Sequence, residues 1–503
     1  YYISLGDTTL DSGEEKCRMQ AEYILLQNTC MGTSVSFNYP NLPYLDVDNT
    51  IELTNEYYKF KKQLFLIQSL TIPLSNEATN LQWLPFDTDC ISIYCETLSD
   101  TVTISYNTNG GKDKDGNTIT YKSISQPPNK QIVLQGGDMY NENKLFAWTD
   151  SQGNKYNYGD VYIVPNNNAT LIAQWITGNE VTVTNTLSAD STVEFQSMSP
   201  SRCLIRYDDN EVARRNTNAI STFKKNYSLG THDTTIVSES DDLTNFDNAF
   251  DKETTTKIDC SKVKATYLTS PMGNRFENMT DFVFPANLAN ISTSKGVLSG
   301  CKKLTKITFP IAYCDISHPE SFLANSTFVN GLELPYTLNF VPMVSVDGQT
   351  GIEEIKQNEI LKGSHVVGNL NIKAATTNKC VVYVNKETTS LVIYPATVQG
   401  RFYLMGKGID GDLSGLQTIQ IGRSTNINDT DGFASTSANI NLSLDFQSGN
   451  CTTKIPKNAF NGYSGNTINV VIYGNVTDSN GITLESGSFC NMPNMTKLPM
   501  TNS

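Results

Sequence analysis

Histidines, cysteines and carboxylates in a suitable pattern would carry catalysis or hold a metal, so their spacing is the first thing to read. His232, His318 and His365 are scattered, and each stands alone. None lies in the H-E-x-x-H pattern that sets two imidazoles on one helix face for zinc. No serine or cysteine has the strand-turn-helix context of an activated nucleophile. A glycosidase pair cannot be chosen among the 51 Asp and Glu residues, because that pairing is a distance in the fold. These residue types point away from an enzyme, and no cofactor or metal is expected.

Two motifs look like ligand loops. Gly406-Lys-Gly408-Ile-Asp-Gly411 spells G-x-G-x-x-G after the strand-like Phe402–Met405. Dinucleotide binding needs a helix next, whose N-terminus would hold the pyrophosphate. Asp412-Leu-Ser-Gly415-Leu follows instead, so a turn is the expectation. Asp113-Lys-Asp115-Gly116-Asn117 begins like a calcium loop, but Thr118 stands where glycine should and Ile124 where the bidentate glutamate should. A solvated loop is expected there. Asp410-Gly-Asp412 is too short a cluster to argue a site.

The 11 cysteines show no C-x-x-C spacing and no clustered histidine, which favours disulfides or buried thiols over metal ligands. Cys17 with Cys30, or Cys90 with Cys95, are close enough in sequence to pair locally, and an odd total leaves at least one unpaired. Ten N-x-S/T sequons occur, at Asn168, Asn226, Asn278, Asn290, Asn325, Asn428, Asn441, Asn450, Asn475 and Asn494. A chain this rich in Asn, Ser and Thr contains about that many by chance. Some would carry glycan if the chain passes through a glycosylating secretory route. Asn278 lies beside a repeat strand and would have to point outward.

The elements that position these residues are mainly β. Hydrophobic residues make up 38% of the chain, enough for packed cores, while charged residues are only 17%. The net charge of −14 argues against nucleic acid or an anionic membrane as partner. No run approaches a membrane span; Leu64 to Leu74 is short and broken by polar residues and Pro73. Tyr1 leads us to expect a processed or truncated chain. A removed signal peptide is one natural reading, and an anchor beyond Ser503 is equally open.

The organising feature is a repeat. Thr280-Asp-Phe282-Val-Phe284-Pro285, Thr305-Lys-Ile307-Thr-Phe309-Pro310 and Gly331-Leu332-Glu-Leu334-Pro335 place their prolines at steps of 25 (310 − 285 and 335 − 310). A fixed period of this size marks stacked units that bury their apolar faces against neighbours. Apolar-x-apolar strands continue at Leu370/Ile372, Leu391/Ile393, Ile419/Ile421, Leu442/Leu444 and Val470/Ile472, with an insertion at 346–362. The middle residues Val283, Thr308, Glu333, Asn371, Val392, Gln420, Ser443 and Val471 would then form one exposed row, the candidate ligand face.

Ahead of several strands stand Val297-Leu-Ser-Gly300-Cys301-Lys-Lys-Leu304, Ala459-Phe460-Asn-Gly462 and Ser488-Phe489-Cys490. This A-F-x-G-C-x-x-L-x-x-I-x-I-P pattern resembles the BspA-like leucine-rich repeats of secreted and surface proteins. The resemblance implies a leucine-rich-repeat-type solenoid over 263–503, with each small residue and Cys inside the coil. Tyr106-Asn-Thr-Asn-Gly-Gly111, Phe146-Ala-Trp148 and Asn168-Ala-Thr-Leu-Ile-Ala-Gln-Trp175 resemble the internalin B-repeat family. That implies a small β-grasp-like module over 101–176, although Ala147 stands where the family usually has glycine. Residues 1–100 read as a β-rich region, and 177–262 as linker or irregular β with a short helix around Leu243 to Phe250.

The expectation is therefore a multidomain, extracellular or cell-surface protein. Through its repeat face it would bind a protein or glycan on another cell or matrix. A self-assembling subunit of a surface filament or coat, binding copies of itself, is the rival reading. A secreted hydrolase comes third.

Overall fold

The computed structural model describes residues 34–40, 50–55, 60–71, 90–97, 101–215, 219–342, 358–393, 401–405, 411–421, 425–427 and 436–445, with short segments beyond: 454–455, 460, 463–465, 467–473, 483–484, 486–489, 491–494 and 500–502. The fold is mainly β. Among the described residues the helical elements are the single 3-10 turns Phe246–Asn248 and Pro319–Ser321. The first stands where a short helix was expected. Among the described residues no helix is long and apolar enough to cross a membrane.

Two compact units divide the chain: residues 1–111, 118–136 and 146–174, and residues 112–117, 137–145 and 175–503. In the first, Ser34–Pro40, Cys90–Thr97, Phe60–Thr71 and Thr50–Asn55 form an antiparallel sheet in that order. Cys90 and Cys95 lie on one continuous strand, so about 16 Å of extended backbone separates them. A disulfide spans Cα atoms only about 4.4–6.8 Å apart, which excludes a bond between these two. Cys17 and Cys30 lie outside the described residues.

A second sheet has the order Ile124–Gln126, Val102–Asn107, Ala169–Thr177, Lys144–Thr149, Lys155–Tyr156. Val102–Asn107 and Ala169–Thr177 run parallel, as the alternating patterns at the two ends of this segment allow. Trp148 is fully buried beneath this sheet, with the Tyr106 and Phe146 rings edge-on to it at 5.1 and 5.5 Å. Its indole N–H donates to the Gln135 carbonyl at 2.6 Å, so the ring is buried without an unpaired donor.

In the second unit, the stretch read from sequence as linker holds regular strands. Asn179–Leu187 pairs antiparallel with both Gly230–Ser238 and Thr255–Lys262. Its inward residues Val181 and Val183 are fully buried. From Thr255–Lys262 the pairing changes direction: Asp281–Val283 and then Lys306–Thr308 add in parallel, with Phe282 opposite Ile258 and Ile307 opposite Phe282.

A second parallel ladder runs Leu332–Leu334, Gly368–Ile372, Thr388–Ile393, Thr418–Ile421, Asn439–Asp445, Ile468–Tyr473, Met500–Asn502. A third parallel sheet joins Tyr267–Leu268, Asn290–Ile291, Cys314–Ile316, Leu338–Phe340 and Ala375–Thr376. Beneath them one apolar cluster extends from Val181 to Ile468. Apolar-x-apolar triplets form these ladders because alternate side chains face inward while the main chain of each strand bonds to the next.

The inward positions are unequal. Phe282, Phe284, Ile372 and Ile393 are at most 1% exposed, whereas Ile307 and Phe309 are only partly buried. Phe282→Ala is expected to cost about 3–5 kcal/mol in urea unfolding, the range for a fully buried phenylalanine. Ile307→Ala should cost about 1–2 kcal/mol, since less apolar area leaves the core. Equal losses would contradict the burial difference.

Candidate functional site

The chemistry-bearing residues are placed as follows. Each histidine has a carboxylate neighbour: His232 Nδ1 with Asp208 at 2.6 Å, His318 Nδ1 with Glu320 at 2.9 Å, and His365 Nδ1 with Glu387 at 3.2 Å. The other His232 nitrogen meets the Ser228 carbonyl, not a hydroxyl that it could activate. Among the described residues no group of three or more His, Cys, Asp or Glu side chains converges. Asp113 folds onto its own loop, its Oδ1 accepting from the Asp115 and Asn117 amides at 3.0 and 2.9 Å. Gly406 and Gly408 lie outside the described residues.

Cys203, Cys260, Cys301, Cys314 and Cys380 are free, buried thiols. Burial pushes Cys203 and Cys301 up to about 11 and Cys314 and Cys380 to about 12, so they are packing groups with little thiolate character at neutral pH. Of the sequons, Asn168, Asn226, Asn325 and Asn441 are exposed. Asn278 spends its amide nitrogen on the Glu253 carbonyl at 2.6 Å, and Asn494 spends its own on Ser464 at 2.6 Å. Asn290 is half-buried, and its Oδ1 lacks a partner among the described residues. Asn428, Asn450 and Asn475 lie outside the described residues.

The candidate ligand face is in register over much of its length but is not one row. Val283 pairs with Thr308, and Glu333, Asn371, Val392 and Gln420 pair in succession. Gln420 then meets Asn441, not Ser443, and Asn441 meets Asn469. Ser443 and Val471 form a parallel row two residues along. The strand Asn439–Asp445 reads I-x-L-x-L: Ile440 and Leu442 pair backward with Ile419 and Ile421, while Ile440, Leu442 and Leu444 pair forward with Ile468, Val470 and Ile472. A shift of two keeps the same face, so the hydrophobic pattern could not exclude it. Asn371 donates to Glu333 at 3.0 Å and Asn469 to Asn441 at 2.9 Å, giving the face a run of carboxamides.

The row is also broken between Thr308 and Glu333. Among the described residues Lys306–Thr308 pairs only with Asp281–Val283, and Leu332–Leu334 only with Gly368–Ile372. The cause is a one-residue misfit. Leu304 bridges Phe328, and Phe328 pairs with Val366, so these three mark the same place in successive turns. From there to the first inward strand residue is three steps in one turn (307 − 304) but four in the next two (332 − 328 and 370 − 366). The extra residue is accommodated at Gly331, which has φ +79°. A Cβ there would stand 2.6 Å from the Asn369 carbonyl oxygen, so only glycine fits. As at a β-bulge, the added residue disrupts the ladder locally. The neighbouring sheet, Cys314–Ile316 with Leu338–Phe340, stays paired across the same two turns.

What opens is a cleft of about 370 Å³. Leu304, Ile307, Phe309, Phe328 and Leu332 give it an apolar lining, and Lys306, Glu333, Asn369 and Asn371 contribute polar groups. Glu333 is held by Lys373 at 2.8 Å and by the Asn371 amide. Asn371 Oδ1 is buried and finds no hydrogen-bond donor among the described residues. An unmade bond of that kind costs about 1–3 kcal/mol, which a ligand donor would recover. Apolar lining with a few convergent polar groups is the usual make-up of a binding pocket.

The clearest titration lies elsewhere in this unit. Burial draws the His232 pKa down, but hydrogen bonds donated to Asp208 and the Ser228 carbonyl, with the Asp208 charge, outweigh it and raise the group above 6.5. The Tyr227 ring stacks on the imidazole at 4.3 Å. A raised folded pKa favours the protonated form on folding, so its stabilisation is complete below pH 6.5 and is lost as pH rises through the folded value. With both partners partly solvated, the effect is about 1 kcal/mol at most. His232→Gln is expected to flatten the fall in urea midpoint as pH rises above 6.5. An unchanged slope would mean that His232 does not carry it.

Comparison with protein-family models, curated proteins and solved structures finds no match to this chain.

Proposed function

We propose that this chain is an extracellular or cell-surface binding protein whose parallel ladders are turns of a leucine-rich-repeat-type solenoid of the BspA-like kind. Residues 101–176 are read as an internalin-B-like β-grasp module, a reading supported by the parallel pairing of the first and last strands of that segment. For the solenoid, the support is parallel pairing at one-repeat intervals on more than one sheet, with Cys301 fully buried inside. The partner is a protein or glycan on another cell or matrix.

One observation carries the binding role: the in-register carboxamide and carboxylate face Glu333–Asn371–Val392–Gln420–Asn441–Asn469, with a cleft at its start. A repeat face of weakly charged polar groups recognises by many hydrogen bonds and not by a single strong charge.

A second reading, a self-assembling surface subunit, is favoured by exposed apolar groups one repeat apart. Ile311 and Tyr336 (336 − 311 = 25) are 79% and 67% exposed, and Tyr313 is 54% exposed. Clustered exposed apolar groups of this sort mark association surfaces.

The test is binding of the purified chain to cells and to immobilised matrix. The triple variant Glu333→Ala, Asn371→Ala, Gln420→Ala is expected to weaken binding by at least about tenfold, if each truncation removes a hot-spot contact. Unaltered binding would remove this face from the proposal. Light scattering across concentration separates the two readings. A steady mass of 55.5 kDa, plus any glycan, fits a binding protein. Growth with concentration fits a subunit.

A further inference from the structure

The cleft between Lys306–Thr308 and Leu332–Leu334 differs from an ordinary pocket in what its walls offer. Phe284 N donates to the Thr308 carbonyl at 2.9 Å, and Lys373 N donates to the Leu334 carbonyl at 2.9 Å. Main-chain groups alternate sides along a strand, so Lys306, Thr308, Leu332 and Leu334 bond to the partners these strands already have. The N–H and C=O of Ile307 and of Glu333 therefore face the cleft, where neither strand has a ladder partner among the described residues. Two strand edges border one space, and both ladders continue outward from it.

The side chains agree with this. Ile307 and Phe309 occupy inward positions, yet they remain half-exposed because no strand covers them from the cleft side. Their counterparts Phe282 and Phe284, one turn earlier, are at most 1% exposed. Asn371 Oδ1 waits for a donor at the cleft wall. Lys306 is exposed and makes no ion pair among the described residues.

We propose that this cleft takes an extended peptide segment of a partner protein, held by main-chain pairing to Ile307 and Glu333. One apolar side chain would rest on Ile307, Phe309 and Leu332, and a hydroxyl, carboxamide or main-chain N–H would donate to Asn371 Oδ1. Strand addition of this type takes affinity from main-chain bonds and specificity from pockets for alternate side chains. Unpaired strand edges are ready templates for it, and here the end strands of two sheets border one cleft. A glycan would satisfy the polar groups but would leave the apolar floor and the alternating main-chain pattern unused. The inference deepens the proposed adhesive role by naming a ligand class, and it rests on that reading only for its biological meaning.

The probe is a pool of capped heptapeptides that alternate Leu, Ile, Val or Phe with Ser, Thr, Asn or Gln. A control pool is N-methylated at alternate residues, so that it keeps its side chains but cannot pair along a strand. Hydrogen exchange is followed on the intact chain. In the free protein the Ile307 and Glu333 amides should exchange fast. With the first pool at about 1 mM, a concentration that populates even weak peptide complexes, both should slow by at least about tenfold. The N-methylated pool should leave them unchanged, and Phe309→Asp should abolish the protection given by the first pool.

Fast exchange of either amide in the presence of the first pool overturns the proposal. So does equal protection by both pools, or protection of both amides before any peptide is added. Because the exchange is read on wild-type protein, misfolding of Phe309→Asp would not rescue or sink the idea. Loss of cell binding in the triple variant, with no peptide effect here, would retain the adhesive reading and discard the peptide. The reverse result would retain the peptide site and discard the adhesive role.

Discussion

Parallel main-chain pairing between one repeat and the next is the constraint on which the second unit depends. A unit of about 25 residues is too small to bury its own apolar face, so Phe282, Ile307 and their counterparts are covered only when the following turn stacks in register. The pairing direction changes at Thr255–Lys262, which is antiparallel to Asn179–Leu187 on one side and parallel to Asp281–Val283 on the other. The antiparallel sheet thus covers an edge that the first parallel strand would otherwise expose.

Because every turn rests on the last, a mismatch of one residue has local and visible consequences. The path from Leu304 to Ile307 is one residue shorter than the path from Phe328 to Leu332. Two turns can therefore stack at Cys314–Ile316 with Leu338–Phe340, or at Leu304 with Phe328, without also meeting at the next strand. Gly331 absorbs the extra residue, and the ladder opens there. The same misfit explains the half-exposure of Ile307 and Phe309, and the cleft it opens is also lined by Asn371, whose buried Oδ1 has no partner among the described residues.

The polar composition acts on the same scale. With few charges available, the outward positions carry Asn, Ser and Thr, which hydrogen-bond along the face, as in the Asn371–Glu333, Thr418–Ser390 and Asn469–Asn441 pairs. The described free cysteines are spent on packing, as small apolar groups within the core; Cys301 at 0% exposed is the clearest case.

How much of this was legible beforehand depended on the range of the interaction. Strand type and inward residue were readable at Phe282, Leu334, Ile372 and Ile393, because alternation and a repeated spacing are local properties of the chain. The regular sheet at 179–262 was not legible, because its strands pair over long separations and its outward residues are polar. Nor was the Gln420–Asn441 register, since a slip of two preserves the buried face. The geometry of Cys90 and Cys95 likewise needed the strand to be known as continuous.

The sequence by itself determined a mainly β chain with a period near 25 and outward strand positions of mixed chemistry, because periodicity and side-chain polarity act at short range. Only the tertiary structure decided where the row of those positions breaks. The break depends on whether two distant segments, each regular alone, have equal path lengths when laid against each other.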